Sequence, residues 1–194
     1  MTLRYVPLTP SEISPSESEL SARTRTPRNE APVGLSEAMS RLAKLADPAA
    51  MLAYGERDSA LSELLLLSGG EFEDSKYIAV IAVTLGYAVD RELARVAHLG
   101  ASAAFLPDAV SSAMAEAAAD AAEAHLRALT PHIRWGRRRS PGYGRLPLSL
   151  QPHLLVLTTA DKRLGITLTE SGLMLPSKTI TAILGGNDET KHFD

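Results

Sequence analysis

The stretch 76–85 sets the tightest constraint on the fold. Tyr77, Ile78, Val80, Ile81, Val83 and Leu85 follow one another almost without a polar break, four of the six are Val or Ile, at positions 78, 80, 81 and 83, and Gly86 closes the run. β-branched enrichment and a glycine stop favour a strand, and the lack of alternation predicts one covered on both faces.

The rest of the chain supplies the cover. Ala38, Leu42 and Leu45 recur at helical spacing behind Ser36, a candidate cap, until Asp47 and Pro48 interrupt them. A second helix is predicted over 59–67, ending before Gly69 and Gly70. Asp90 is placed to cap a helix that runs through His98. The longest helical signal covers 108–129, where alanine dominates and Val110, Met114, Ala118 and Ala121 make a narrow face of mostly small residues. Residues 130–147 are loop-like, a helix is predicted over 149–164 with Gly165 as its stop, and short strands are predicted over 166–169 and 179–184, the last closed by Gly185 and Gly186. This order argues for an α+β (mixed α/β) domain spanning 34–194. Residues 1–33 are rich in Ser, Thr and Pro with Arg23, Arg25 and Arg28 among them, and read as a flexible or loosely docked arm.

Composition narrows the chemistry. Among 194 residues there is no cysteine, which removes disulfides, thiolate metal sites and cysteine nucleophiles. A net charge of −3 argues against general nucleic-acid binding. The five histidines, at 98, 125, 132, 153 and 192, show no metal-site spacing, so no metal is expected. There is no Gly-x-Ser-x-Gly elbow and no phosphate-binding glycine loop. Neither a secretory leader nor an apolar run of membrane-spanning length is visible, and a cytoplasmic protein is the default expectation.

Three features could carry function. Arg137, Arg138 and Arg139 run into Ser140, Pro141, Gly142, Tyr143 and Gly144. Proline and glycine make a stiff turn there, Tyr143 offers a ring, and a guanidinium fork suits a carboxylate. The same residues also fit a solvated basic loop or an anion-binding patch. Glu170, within Thr169, Glu170, Ser171, Gly172, Leu173, Met174, Leu175 and Pro176, is either an exposed loop glutamate or a partner for an arginine of that turn. Glu116, Asp120 and Glu123 share one helix face, with Glu123 and Arg127 spaced to pair. That stripe is either solvated or offers a carboxylate to a ligand ammonium.

In order along the chain, these motifs resemble the activation (reactivation) domain of cobalamin-dependent methionine synthase. The resemblance covers about 76–186 and is clearest over 138–143 and 168–181, and the free-standing members of the family are the most similar. It implies a twisted, largely antiparallel sheet flanked by helices. It also implies S-adenosylmethionine bound directly, cobalamin held by a partner methionine synthase or corrinoid protein, and a flavodoxin-like electron donor. The implied role is reactivation: reductive methylation of cob(II)alamin in methionine biosynthesis, as a component of a methyltransferase and not a complete enzyme. A docking or capping module that does not bind S-adenosylmethionine is the alternative. Carried over residue by residue, Arg138 pairs with the ligand carboxylate, and Asp120, with Glu116 as its fallback one turn away, faces the ligand amino group. Ser140, Pro141, Gly142 and Tyr143 complete the motif, and Glu170 has a supporting role. The sequence departs from the family at His132, where full-length synthases carry a glutamate six positions before the arginine, and at His192, where they carry a tyrosine. Part of the ligand cradle is expected to change there.

Overall fold

A computed structural model describes residues 1–27, 30–57 and 68–189. Among these described residues seven strands and six helices follow in the order β1 (Thr2–Pro7), α1 (Glu17–Thr24), α2 (Leu35–Leu45), β2 (Ala49–Glu56), β3 (Tyr77–Thr84), α3 (Tyr87–Ala97), α4 (Ala101–Leu129), β4 (Ile133–Trp135), α5 (Gln151–Thr158), α6 (Ala160–Arg163), β5 (Thr167–Leu168), β6 (Met174–Leu175) and β7 (Thr179–Asp188). A 3-10 turn, Leu148–Leu150, precedes α5. Five strands make one sheet in the order β1-β2-β3-β7-β4, every neighbouring pair antiparallel, and β5 with β6 forms a separate hairpin.

The expected central strand is β3, buried at every position. Its side chains alternate between two cores, as a pleated strand requires. Ala79, Ile81 and Val83 join the core under α4, where Leu20 of α1, Leu42 of α2 and Val89 of α3 also pack. Ile78 and Val80 face Leu146, Leu150 and Leu154 on the opposite side. Ala82 faces Leu155, Ala160 and Ile166. The mixed α/β fold read from the sequence, a largely antiparallel sheet with helices about it, is the fold observed.

Several local expectations are corrected. Residues 2–24 do not hang free: β1 pairs with β2 along its whole length, and Val6, Leu8, Ile13 and Leu20 are buried. β1 gave little signal because it is a short edge strand exposed at all positions but Val6. Strand β2 lacked a signal because Ala49, Ala50 and Ala53 carry no β-branched pattern; pairing on both sides makes it a strand. The predicted helix over 59–67 lies outside the described residues. Helix α2 starts at Leu35 behind Gly34, one residue before the expected cap. Helix α3 begins at Tyr87, so Asp90 lies inside it and instead accepts the amide and hydroxyl of Ser177 at 2.7 and 2.9 Å. Helix α4 starts at Ala101 and passes through Pro107, whose missing N–H removes one bond without ending the alanine-rich helix. Thr159, at φ 55°, breaks the expected helix over 149–164 into α5 and α6.

Strand β7 also runs on through Gly185 and Gly186. There glycine serves close packing and does not end the strand. A Cβ on Gly186 would lie 2.7 Å from Ile133 Cγ2 and from Trp135 Cε3. Gly186→Ala should therefore cost about 1–3 kcal/mol of stability by overpacking, read as a lower urea midpoint with an unchanged slope.

Helices α2 and α3 are joined by Glu92, 7% exposed, which meets Arg41 Nε at 2.6 Å and Arg95 Nη2 at 2.8 Å. The hydrogen bond from Arg95 draws its carboxyl down to about 2; desolvation opposes the shift and Arg41 adds to it. A carboxyl depressed below its ordinary 4.5 stabilises the fold fully above that value and loses the contribution as pH falls toward 2. In circular-dichroism acid titrations, Glu92→Gln should lower stability near neutral pH and flatten its fall between those limits.

Candidate functional site

Three carboxylates from one helix face converge on one arginine. Spacings of four and three place Glu116, Asp120 and Glu123 on a single side of α4. The chain then turns at Thr130, whose hydroxyl donates to the carbonyl of Leu126 at 2.7 Å and accepts from Trp135 Nε1 at 2.8 Å. After β4 the backbone stays against β7. The Gly136 amide donates to the Gly185 carbonyl at 2.8 Å, and Arg139 exchanges two bonds with Ile183, at 2.9 and 2.8 Å. Three steps on one side thus oppose two on the other, a bulge that re-aims the side chains beside it.

Arg138 and Arg139 point to opposite faces of the sheet, as neighbours in an extended segment do. Arg138 reaches α4: Nη2 is 2.8 Å from Glu116 Oε2, Nη1 bonds Asp120 Oδ1, and Glu123 Oε2 is 3.5 Å away. Arg139 meets Glu71 at 3.0 Å. Arg127 ties the end of α4 to this loop, pairing with Glu123 at 2.6 Å and donating to the carbonyls of Trp135 and Gly136 at 3.1 Å each. Desolvation of the half-buried Arg138 works against its charge, but Asp120 and Glu116 outweigh it and hold the guanidinium more firmly protonated than usual. The Arg138 side chain is 21% exposed and that of Asp120 is 72% exposed, so solvent reaches the pair from the Asp120 side.

The Pro-Gly motif follows directly. The Tyr143 amide donates to the Ser140 carbonyl at 3.2 Å across Pro141 and Gly142, and Gly142 sits at φ 87°. Proline second and a positive-φ glycine third define a type II turn. Pro141 is buried, and the Tyr143 side chain is thrown outward at 75% exposure. A second turn closes through Gly144, at φ 61°, with the Leu146 amide on the Tyr143 carbonyl.

The second motif forms the β5–β6 hairpin. The Gly172 amide donates to the Thr169 carbonyl at 2.9 Å, and the Thr169 hydroxyl accepts the Leu173 amide at 3.0 Å. A Cβ on Gly142 and a Cβ on Gly172 would each come within 3.6 Å of Leu148, so Leu148 joins the two turns. Tyr143, Leu148 and Leu173 are all exposed, which makes an apolar surface along this seam.

The structure therefore brings Arg138, Asp120 and Glu116 into contact and sets Ser140, Pro141, Gly142 and Tyr143 on the adjoining turn. Glu170 stands apart. It is exposed at the tip of the hairpin and forms no ion pair among the described residues; Arg138 and Arg139 are taken by the α4 carboxylates and Glu71. His132 packs edge-on against Tyr77, with ring centroids 6.3 Å apart. Its carbonyl meets the Glu189 amide, whereas Arg139 meets Ile183. Six residue steps separate those two points along the chain, about 20 Å. His192 lies outside the described residues. His125 Nε2 lies 2.6 Å from Glu12 Oε1, an ion-pair geometry that local sequence could not announce. Glu71 and Leu148 were missed for the same reason, whereas the Glu123–Arg127 pair follows from helical spacing. Among the described residues no group of three His, Asp or Glu is placed to hold a metal, and no helix is long and apolar enough to cross a membrane.

This helix-backed antiparallel sheet has the fold of a methionine synthase reactivation domain. It is similar to the crystal structure of the MetH reactivation domain bound to AdoHcy, with a TM-score of 0.73 and 17% identity over 100% of this chain and 81% of that one. The chain belongs to the family described as vitamin B12 dependent methionine synthase, activation domain, whose model matches residues 54–194. No curated protein matches it in sequence.

Proposed function

We propose that this chain binds S-adenosylmethionine beside Arg138 and supports reductive methylation of cob(II)alamin held by a methionine synthase cobalamin domain. The observation that carries the reading is the contact of Arg138 with Asp120 and Glu116 next to the Pro141–Gly142 turn. The amino-acid end of the ligand is a zwitterion, so its site must present a cation and a carboxylate side by side. Arg138 supplies the first, and the exposed Asp120 supplies the second, with Glu116 behind it. Entry of the ligand exchanges one ion pair for two: the ligand carboxylate takes donors from Arg138 while the ammonium takes the carboxylate released. Such an exchange keeps every charge partnered, which avoids the cost of stranding one. Tyr143 offers its ring as a stacking face for the adenine. The AdoHcy in the MetH reactivation domain has the same amino-acid end and the same base.

Bound there, S-adenosylmethionine supplies the methyl group, while a flavodoxin-like donor supplies the electron to the cobalamin of the partner. The chain's own part is to hold the ligand and to dock. The exposed seam of Tyr143, Leu148 and Leu173 adjoins the ligand turn and is the surface assigned to the cobalamin domain.

A second reading, docking without S-adenosylmethionine, is favoured by one fact: Arg138 already has three carboxylates around it. Calorimetry separates the two. The intact protein should release or absorb heat on titration with S-adenosylmethionine, and Arg138→Ala should weaken binding by about ten- to a hundred-fold, the worth of a charged hydrogen-bonded pair. Intact protein with no binding heat would leave only the docking reading. Independently, Leu173→Asp on the exposed hairpin should weaken pull-down of a cobalamin-loaded methionine synthase fragment about ten-fold and leave S-adenosylmethionine titration unchanged. Undiminished capture would remove the seam from the interface.

A further inference from the structure

Helix α1 lies before the residues that the family model matches, yet it reaches the arginine site. The Ser16 hydroxyl accepts the Glu19 amide and caps α1, which sets Glu19 and Arg23 one turn apart on the same side. Arg23 Nε donates to Glu19 at 2.6 Å, and its Nη2 lies 3.5 Å from Glu116 Oε1. The other oxygen of Glu116 takes Arg138. One carboxylate on α4 is therefore shared between two guanidinium groups that lie 115 positions apart in the chain (138 minus 23).

The contact is held in place from several sides. Leu20 and Thr24 of α1 are buried, and Glu12 grips His125 of α4 just ahead of the helix. Between these elements runs a groove of about 400 Å³, with Glu12, Ser16 and Glu19 on one wall and Glu116, Ala117 and Asp120 on the other. Two of the carboxylates that hold Arg138 thus also face the N-terminal segment.

We infer that Arg23 is a positioning residue for the ligand site and acts through Glu116. A carboxylate between two cations divides its lone pairs. With Arg23 present, Glu116 gives Arg138 one oxygen and leaves it donors for an incoming carboxylate. Without Arg23, Glu116 turns both oxygens to Arg138 and competes with the ligand. The inference rests on the S-adenosylmethionine reading above and extends the site into a segment that the family match does not cover.

The test is a double-mutant cycle read by calorimetry with S-adenosylmethionine. Arg23→Ala should weaken binding about three-fold, the scale of a partly exposed ion pair. In a Glu116→Gln background the same change should have a clearly smaller effect, and in the intact background Arg23→Lys should restore most of the loss. The long-range effect of removing a positive charge is common to both backgrounds and cancels in the cycle. Equal effects in the two backgrounds, or none in either, overturn the inference. A ligand-free readout keeps the two readings apart: the exchange rate of the Arg138 Nη protons by NMR should slow in Arg23→Ala, as Glu116 engages Arg138 more fully. If the intact protein binds no S-adenosylmethionine, the functional reading falls and this rate alone decides. An unchanged or faster rate overturns the inference.

Discussion

The two hydrogen bonds between Arg139 and Ile183 decide where everything else in the site lies. They fasten the loop after β4 to the middle of β7, and they do so one residue out of step with the Gly136–Gly185 bond. Because neighbouring side chains on an extended backbone diverge, that fastening sends Arg138 to the α4 face and Arg139 to the face that holds Glu71. Were the loop to slip by one residue, the two arginines would exchange faces. The glycines of β7 allow the approach, since side chains there would collide with Ile133, Trp135 and Ser75.

A site built this way is rigid in its backbone and adjustable in its ion pairs. Arg127 locks the end of α4 to the loop through two carbonyls, and the type II turn fixes Pro141 and Gly142. The carboxylates around Arg138 range from the sheltered Glu123, 18% exposed, to the open Asp120, 72% exposed. Exposed ion pairs are worth little, so Asp120 can yield its share of Arg138 to a ligand at small cost, while Glu123 stays tied to Arg127. The guanidinium is thus kept charged and oriented before any ligand arrives, which reduces the ordering that binding must impose.

The sequence revealed the parts of this arrangement that depend on local geometry. The doubly covered strand β3 could be read because positions 77–83 run on without a polar break, and the stripe of Glu116, Asp120 and Glu123 because helical spacing alone sets it. The stiff turn, though not its type, was legible in Pro141 and Gly142. Strands β1 and β2 were not, since one is a short exposed edge and the other an alanine-rich segment that becomes a strand only through its neighbours. The role of Arg139 was hidden for a related reason: which of three consecutive arginines faces α4 depends on a bulge against a strand more than 40 residues later. Arg23 gave no sign at all, because its link to Glu116 spans two helices. Glu170 looked significant among apolar residues, yet the hairpin turns it outward.

The return of methylcobalamin absorbance tests this reading most directly. A methionine synthase cobalamin domain without an activation module, loaded with cob(II)alamin, is mixed with the intact chain, S-adenosylmethionine and a one-electron donor. The methylcobalamin spectrum should return only when the chain and S-adenosylmethionine are both present, and an Arg138→Ala chain should not substitute for the intact one. Return at the same rate without the chain, or with Arg138→Ala in its place, would contradict it.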